Sequence, residues 1–227
     1  MTDPVLMVID TATTRIVVAT GSMGGDPIAV ATWPAGYRHG ETLLPAIERL
    51  LAESGIGRAA IGGIVVGTGP GAFTGLRVGI ATAKGLAHGL GRPIVGVPTG
   101  GAHLAAAARA DDVALDRLTL LLPAGPADRI LVRHGTGASL LPAGEEPALG
   151  RDGILVAIDL DGRAPADACQ RGERARAGLA REMLAVAAAR MALGDVDDLA
   201  GLVPGYVTLP RGAGPSSGEV AWSRDPR

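Results

Sequence analysis

Gly67-Thr68-Gly69-Pro70-Gly71-Ala72-Phe73-Thr74-Gly75-Leu76-Arg77-Val78-Gly79-Ile80-Ala81-Thr82-Ala83-Lys84-Gly85-Leu86-Ala87-His88-Gly89 is the stretch whose reading decides the fold. An apolar run over residues 61–66 feeds a loop of glycines and one proline, and the loop feeds a segment that reads as helix. A strand, a glycine turn and a helix N-terminus can present backbone N–H groups to an anion. The same stretch can be a packing surface, because Gly75, Gly79 and Ala83 fall at i, i+4, i+8 and leave one stripe almost without side chains. A mid-helix glycine costs about 1 kcal/mol relative to alanine, so several together point to another backbone lying close.

Upstream, residues 5–10 form a continuous apolar run ending in a carboxylate, as in a buried central strand. The β-branched segment 15–20 and the segment 28–33 supply two more strands. Leu43, Leu44, Ile47, Leu50 and Leu51 then recur at helical spacing and predict an amphipathic helix over 41–54. Pro45 belongs in its first turn, which places the start near Thr42 or Leu43, and Gly55 with Ile56 reads as the C-terminal cap. Downstream of the glycine stretch come a short strand over 93–97 and an alanine-rich helix over 101–109.

The order βββαβαβα with a mixed sheet predicts an α/β, ribonuclease-H-like lobe of the two-lobed actin-like class, a fold that by itself leaves function open. Residues 111–116 read as a polar joint to a second lobe, with strands over 118–122, 129–134 and 154–160 and a helix over 176–193. The Pro, Gly and Ser content after 204 predicts a loosely held tail, so the chain divides into 1–110, 111–203 and 204–227.

Composition narrows the classes. With 47% hydrophobic and 19% charged residues, the 227-residue chain has enough apolar surface for a real core. A net charge of −2 argues against unaided binding of a nucleic-acid backbone. Cys169 is alone, so neither an intrachain disulfide nor a thiolate cluster can form. The start Met1-Thr2-Asp3-Pro4 lacks a signal-peptide pattern, and no apolar run approaches the roughly 20 residues of a membrane span, so a cytoplasmic protein is expected.

The glycine loop is not a Walker motif, since Lys84, the only lysine, lies well inside the helix, and it lacks the dinucleotide pattern too. Asp10, Thr11 and Thr13 at the end of the first strand, with Arg77, could meet a phosphate and its metal. They could equally satisfy a hairpin turn through side-chain to backbone hydrogen bonds. No two histidines stand at i, i+4, and no G-x-S-x-G elbow occurs, so no metal or catalytic site is expected. Arg171, Arg174, Arg176 and Arg181, interspersed with Glu173 and Glu182, read as a solvated helix face before they read as an RNA contact.

Ile9-Asp10-Thr11-Ala12-Thr13, His39-Gly40-Glu41-Thr42-Leu43-Leu44-Pro45 and Gly69-Pro70-Gly71-Ala72-Phe73-Thr74-Gly75-Leu76-Arg77-Val78-Gly79 stand in the order and at about the spacing of the TsaB (YeaZ) family, which the chain resembles over residues 5–105. The resemblance implies a noncatalytic subunit in the synthesis of threonylcarbamoyladenosine next to the tRNA anticodon. It implies a homodimer when alone, pairing with the catalytic relative TsaD, and the ATPase TsaE in the same assembly. Contact with tRNA would come only through the complex, no cofactor would be intrinsic, and ATP or ADP with Mg would enter only in the assembled complex. The implied interface comprises His39, Leu43, Ile47, Phe73, Thr74, Gly75, Leu76, Gly79, Ile80 and Ala83.

TsaD-like proteins carry two metal-binding histidines after the corresponding helix. Here Thr99 stands at the first position and only His103 remains at the second. The family's acidic and aromatic segment opening the second lobe is replaced by Pro123-Ala124-Gly125-Pro126-Ala127-Asp128-Arg129-Ile130-Leu131. Two alternatives therefore stay open: a divergent paralogue with other partners, and an ATP-dependent phosphotransferase of the actin-like class.

Overall fold

A computed structural model describes residues 3–34 and 39–207, the side chain of His39 excepted. The chain begins with the meander β1 (Val5–Asp10), β2 (Arg15–Ser22) and β3 (Pro27–Pro34), followed by helix α1 (His39–Glu53). Then come β4 (Ile61–Gly69), α2 (Phe73–Leu90), β5 (Ile94–Pro98) and α3 (Thr99–Asp111). The first sheet has the order β3-β2-β1-β4-β5, antiparallel across the meander and parallel from β1 to β5. This is the βββαβαβα mixed-sheet lobe expected from the sequence.

Both faces of this sheet are covered, which is why β1 reads as an unbroken apolar run. Met7 and Ile9 pack under Leu43 and Ile47 of α1 and Ile80 of α2. Leu6 and Val8 pack on the opposite face, against Leu179, Met183 and Leu184. Those three belong to α4 (Ala166–Ala192), which follows a second sheet. That sheet contains β6 (Leu118–Ala124), β7 (Asp128–Arg133), β8 (Gly137–Leu141) and β9 (Ile154–Ala157) in the order β8-β7-β6-β9. The α3/α4 pair lies between the two sheets, with Leu104, Ala107 and Ala175 facing the second.

Several boundaries differ from the sequence reading, each for a physical reason. Helix α1 starts at His39, so Pro45 sits in its second turn, where its ring removes the N–H that would reach the Glu41 carbonyl. Its end is as expected: Gly55 is left-handed, and the Ile56 N–H donates to the Leu51 carbonyl at 2.9 Å. Strand β4 runs on through Gly67-Thr68-Gly69, so less of the glycine stretch is loop than its composition implies. Helix α4 begins ten residues before the bulky apolar spacing does, because its first buried face is Ala168, Gly172 and Ala175. Gly172 is required there: a Cβ would stand 1.8 Å from the Ala157 carbonyl oxygen.

The segment after α4 folds back over the edge of β5. Asp197 N–H donates to the Ile94 carbonyl (2.9 Å), and Gly96 N–H donates to Asp197 Oδ2 (2.7 Å). Arg190 Nη1 donates to the Gly96 carbonyl (2.9 Å), so the free edge of the sheet is covered. Residues 204–207, expected to be loosely held, are docked: Gly205 N–H donates to the Thr68 carbonyl at 2.8 Å, and Tyr206 packs on Phe73. The rest of the predicted tail, 208–227, lies outside the described residues.

Candidate functional site

Helix α2 has two different sides. Its inward side carries Gly75, Leu76, Gly79, Ile80 and Ala83, all buried in the chain's own core. Gly79 is there because the turn between β1 and β2 presses on it. Thr11 Oγ1 donates to the Gly75 carbonyl at 2.7 Å, and a Cβ on Gly79 would stand 2.1 Å from Thr11 Oγ1. Leu43 and Ile47 of α1 are likewise 1% and 3% exposed. The expectation that these residues receive a partner is corrected: their neighbours are the chain's own sheet and turn. Of the remaining implied interface, Phe73 stacks on Tyr206 with ring centroids 4.8 Å apart, Thr74 is exposed, and His39 forms the start of α1.

The outward side carries Thr74, Arg77, Ala81, Gly85 and His88. A Cβ on Gly85 or Gly89 would meet nothing within 4 Å. Beside this smooth strip α1 exposes Leu44 to 50%, and a groove of about 300 Å³ floored by Ile47, Leu51 and Leu86 separates the two helices. A low, apolar surface of this kind lets a second helix approach closely. The phase was available in the sequence. If Leu76 and Ile80 face the core, the glycines beside them do too, and Ala81 and Gly85 face out.

The residues weighed for nucleotide binding are spent within the chain. Asp10 is fully buried; its Oδ1 accepts from Ala12 N–H (3.0 Å) and its Oδ2 from Thr99 Oγ1 (2.6 Å). Burial pushes its carboxyl above the ordinary range, against the hydrogen bonds from Thr99 and Ala12. Thr11 is bound to Gly75, and Thr13 Oγ1 donates to the Arg15 carbonyl at 3.1 Å. Arg77 is elsewhere, on the exposed side of α2. Its guanidinium carbon lies 3.7 Å over the Phe73 ring, and its Nε donates to the Tyr206 hydroxyl at 2.9 Å. The turn-satisfying contacts are those of Asp10 Oδ1 and Thr13, while Asp10 Oδ2 and Thr11 are engaged from outside the turn by Thr99 and Gly75.

The cleft between the lobes is closed by the chain itself. Ala72 N–H donates to the Ala12 carbonyl at 2.7 Å, and Gly71 lies so close that a Cβ would meet that oxygen at 2.1 Å. Across the cleft, Thr14 N–H donates to Asp159 Oδ2 at 2.7 Å, and Thr14 Oγ1 donates to Asp159 Oδ1. Arg176 Nη2 donates to Asp159 Oδ1 at 2.8 Å, with both side chains under 10% exposed. Burial alone would raise the Asp159 carboxyl, but the Thr14 hydrogen bonds and Arg176 outweigh it and hold it below the usual range. The space left is about 240 Å³, lined by Ala12, Gly71, Leu122 and Gly125 among others. Asp159 carried no signal in the sequence, because its partner Thr14 lies 145 positions away.

The arginine cluster is only in part the solvated face expected: Glu173, Arg174 and Arg181 are exposed, while Arg176 and Glu182 are buried. Arg176 is buried on Asp159, Arg174 pairs with Asp111 at 2.6 Å, and Arg171 with Asp167 at 2.8 Å. His103 is fully buried, and neither ring nitrogen reaches a partner in hydrogen-bond geometry. Burial first, then the nearby Arg176, lowers its pKa to about 4. Among the described residues no group of three or more His, Cys, Asp or Glu side chains could hold a metal ion, and no helix is long and apolar enough to cross a membrane.

With this geometry in place, comparison with known proteins is specific. The family described as "TsaD: tRNA N6-adenosine threonylcarbamoyltransferase" matches residues 34–141. The chain is 37% identical over 94 residues to the tRNA threonylcarbamoyladenosine biosynthesis protein TsaB of Escherichia coli K12, covering 41% of this chain and 40% of that protein. It is 35% identical over 116 residues to a tRNA N6-adenosine threonylcarbamoyltransferase of Cereibacter sphaeroides, covering 51% of this chain and 32% of that enzyme. The chain thus spans a quarter to a third of the curated transferases it matches and two fifths of the Escherichia coli TsaB. Among solved structures, YeaZ from Pseudomonas aeruginosa superposes with a TM-score of 0.66 at 25% identity, over 89% of this chain and 99% of that one. The resemblance to TsaB (YeaZ) carried by the three motifs is upheld in both sequence and structure.

Proposed function

We propose that this chain is a TsaB-like accessory subunit that dimerises when alone and supports a TsaD-like catalytic subunit in threonylcarbamoyl transfer to adenosine next to the tRNA anticodon. The observation that carries this reading is the extent of the likeness. YeaZ from Pseudomonas aeruginosa superposes over 89% of this chain and 99% of its own length with a TM-score of 0.66. The chain therefore has the build of the accessory protein. The outward side of α2 suits the role, because Ala81, Gly85 and Gly89 leave room for a helix of a partner or of a second copy.

The reading also assigns the chain no reaction of its own. A phosphotransferase would need Asp10, Thr11 and Thr13 free for a phosphate and its metal, and each is engaged with Thr99, Gly75 or Arg15. A TsaE-like ATPase, and ATP or ADP with Mg, then enter only with the assembly, in the cytoplasm, and tRNA is reached through it. The replaced segment 123–131 favours partners adapted to this chain over those of a distant relative.

Co-purification of the tagged protein from its own cells tests the reading. A TsaD-like and a TsaE-like chain should come with the wild type and be lost with Gly85→Arg, which places a long side chain on the outward strip without touching the core. Tight Mg-ATP binding and turnover by the isolated chain, without such partners, would favour the phosphotransferase instead.

A further inference from the structure

The turn of residues 11–14 touches two things at once. On one side it seats α2: Thr11 holds the Gly75 carbonyl and fills the space over Gly79, and the Ala12 carbonyl accepts the Ala72 N–H just before the helix begins. On the other side Thr14 gives its N–H and its hydroxyl to Asp159, which belongs to the second lobe. Asp159 is held in turn by Arg176 of α4 and adopts a left-handed backbone (φ 58°), uncommon for a residue with a side chain. A strained residue with three inward hydrogen bonds, nearly buried and paired with a buried arginine, is an over-determined joint.

We propose that Asp159 is a clasp between the lobes that positions the docking helix: by holding Thr14 it fixes the turn on which α2 is seated, so that closure of the cleft and association through the outward side of α2 are coupled. This rests on the docking role proposed for α2. The coupling follows from the chain of contacts Arg176, Asp159, Thr14, Ala12, Ala72, α2, each link of which is a hydrogen bond or the adjoining backbone. Opening the clasp frees the turn, and a free turn lets the first residues of α2 shift relative to α1, across the groove that Leu44 and Gly85 line. Two sites then share one equilibrium, and a change at either is felt at the other.

The test uses the full chain with Asp159→Asn, which keeps the shape and removes the charge, and Thr14→Val, which removes only the hydroxyl and spares the Asp159–Arg176 pair. Hydrogen exchange at the Thr14 and Ala72 amides reads the clasp, and sedimentation equilibrium of the chain with itself reads docking. Both variants should speed exchange at these amides about tenfold while amides in β1 and β4 stay protected, and Asp159→Asn should weaken self-association about tenfold. Unchanged exchange at Thr14 and Ala72 in both folded variants overturns the clasp. Faster exchange with unchanged self-association overturns the coupling and leaves the docking reading standing. If the wild type does not self-associate at all, the homodimer reading falls and the coupling of the clasp to self-association with it, whatever the exchange shows.

Discussion

Helix α2 carries glycines on both sides, and the two pairs do opposite work. Gly79 lacks a side chain because Thr11 occupies the space where it would be, the Cβ position lying 2.1 Å from the Thr11 hydroxyl, and Gly75 is buried on the same side with its carbonyl accepting from Thr11. Gly85 and Gly89 lack side chains over open space, with no atom within 4 Å. The first pair is an internal fit and serves the stability of the monomer. The second is a cost to the monomer, about 1 kcal/mol per residue against alanine, offset only if something outside the chain comes close. A glycine in a helix thus signals a near neighbour without saying whose it is.

Substitutions that separate the two sides should differ in size and in sign. Gly79→Leu should be the most damaging, costing about 4 kcal/mol or more, because Thr11 and the backbone behind it cannot yield to a branched side chain. Recovery of a soluble, cooperatively unfolding Gly79→Leu protein would break the assignment of this side to the core.

Acid tests the inward packing without touching α2. His103 has a folded pKa of about 4, below its ordinary value of 6.5, so the fold favours the neutral ring. Its contribution is complete above about pH 6.5 and is lost as the pH falls from there towards 4, by about 3 kcal/mol. Urea unfolding as a function of pH should show that decline, and His103→Leu should flatten it.

On the outward side, Gly85→Leu should leave the fold intact and stabilise the monomer by up to about 1 kcal/mol, while weakening association by about a hundredfold. Sedimentation and thermal unfolding of the same sample would show the two effects with opposite signs. A destabilised monomer would mean that Gly85 is packed after all. The smallest effect belongs to the start of the helix. Tyr206→Ala removes the ring stacked on Phe73 and the hydroxyl that receives Arg77, and should lower the unfolding free energy read from urea titration by about 1 kcal/mol.

Much of this organisation was legible in the chain. The meander, α1 and the βαβα continuation follow from apolar runs and helical spacing, because a buried strand and an amphipathic helix each need bulky side chains at fixed intervals. Where the packing uses small residues, that signal vanishes. The first half of α4 faces β9 with Ala168, Gly172 and Ala175, and was invisible for that reason. The exposed edge strand β8 has little apolar pattern to read. The direction of the glycines in α2 could have been taken from the phase of Leu76 and Ile80. The Asp159 clasp could not, since nothing local marks a carboxylate that meets its partner across the fold.

The way α4 and residues 194–207 return to the first sheet sets an order on the making of the protein. Leu6, Val8, Val17, Ala19, Val65 and Val95 line a sheet face whose cover includes Leu179, Met183 and Leu184. During synthesis, therefore, the first lobe leaves the ribosome with one greasy wall covered only in part, by Ala102 of α3, and must wait about seventy further residues for Leu179, Met183 and Leu184 to complete its roof. The nascent chain is most prone to aggregate in that interval, and its completion depends on α4 arriving rather than on the first lobe folding by itself.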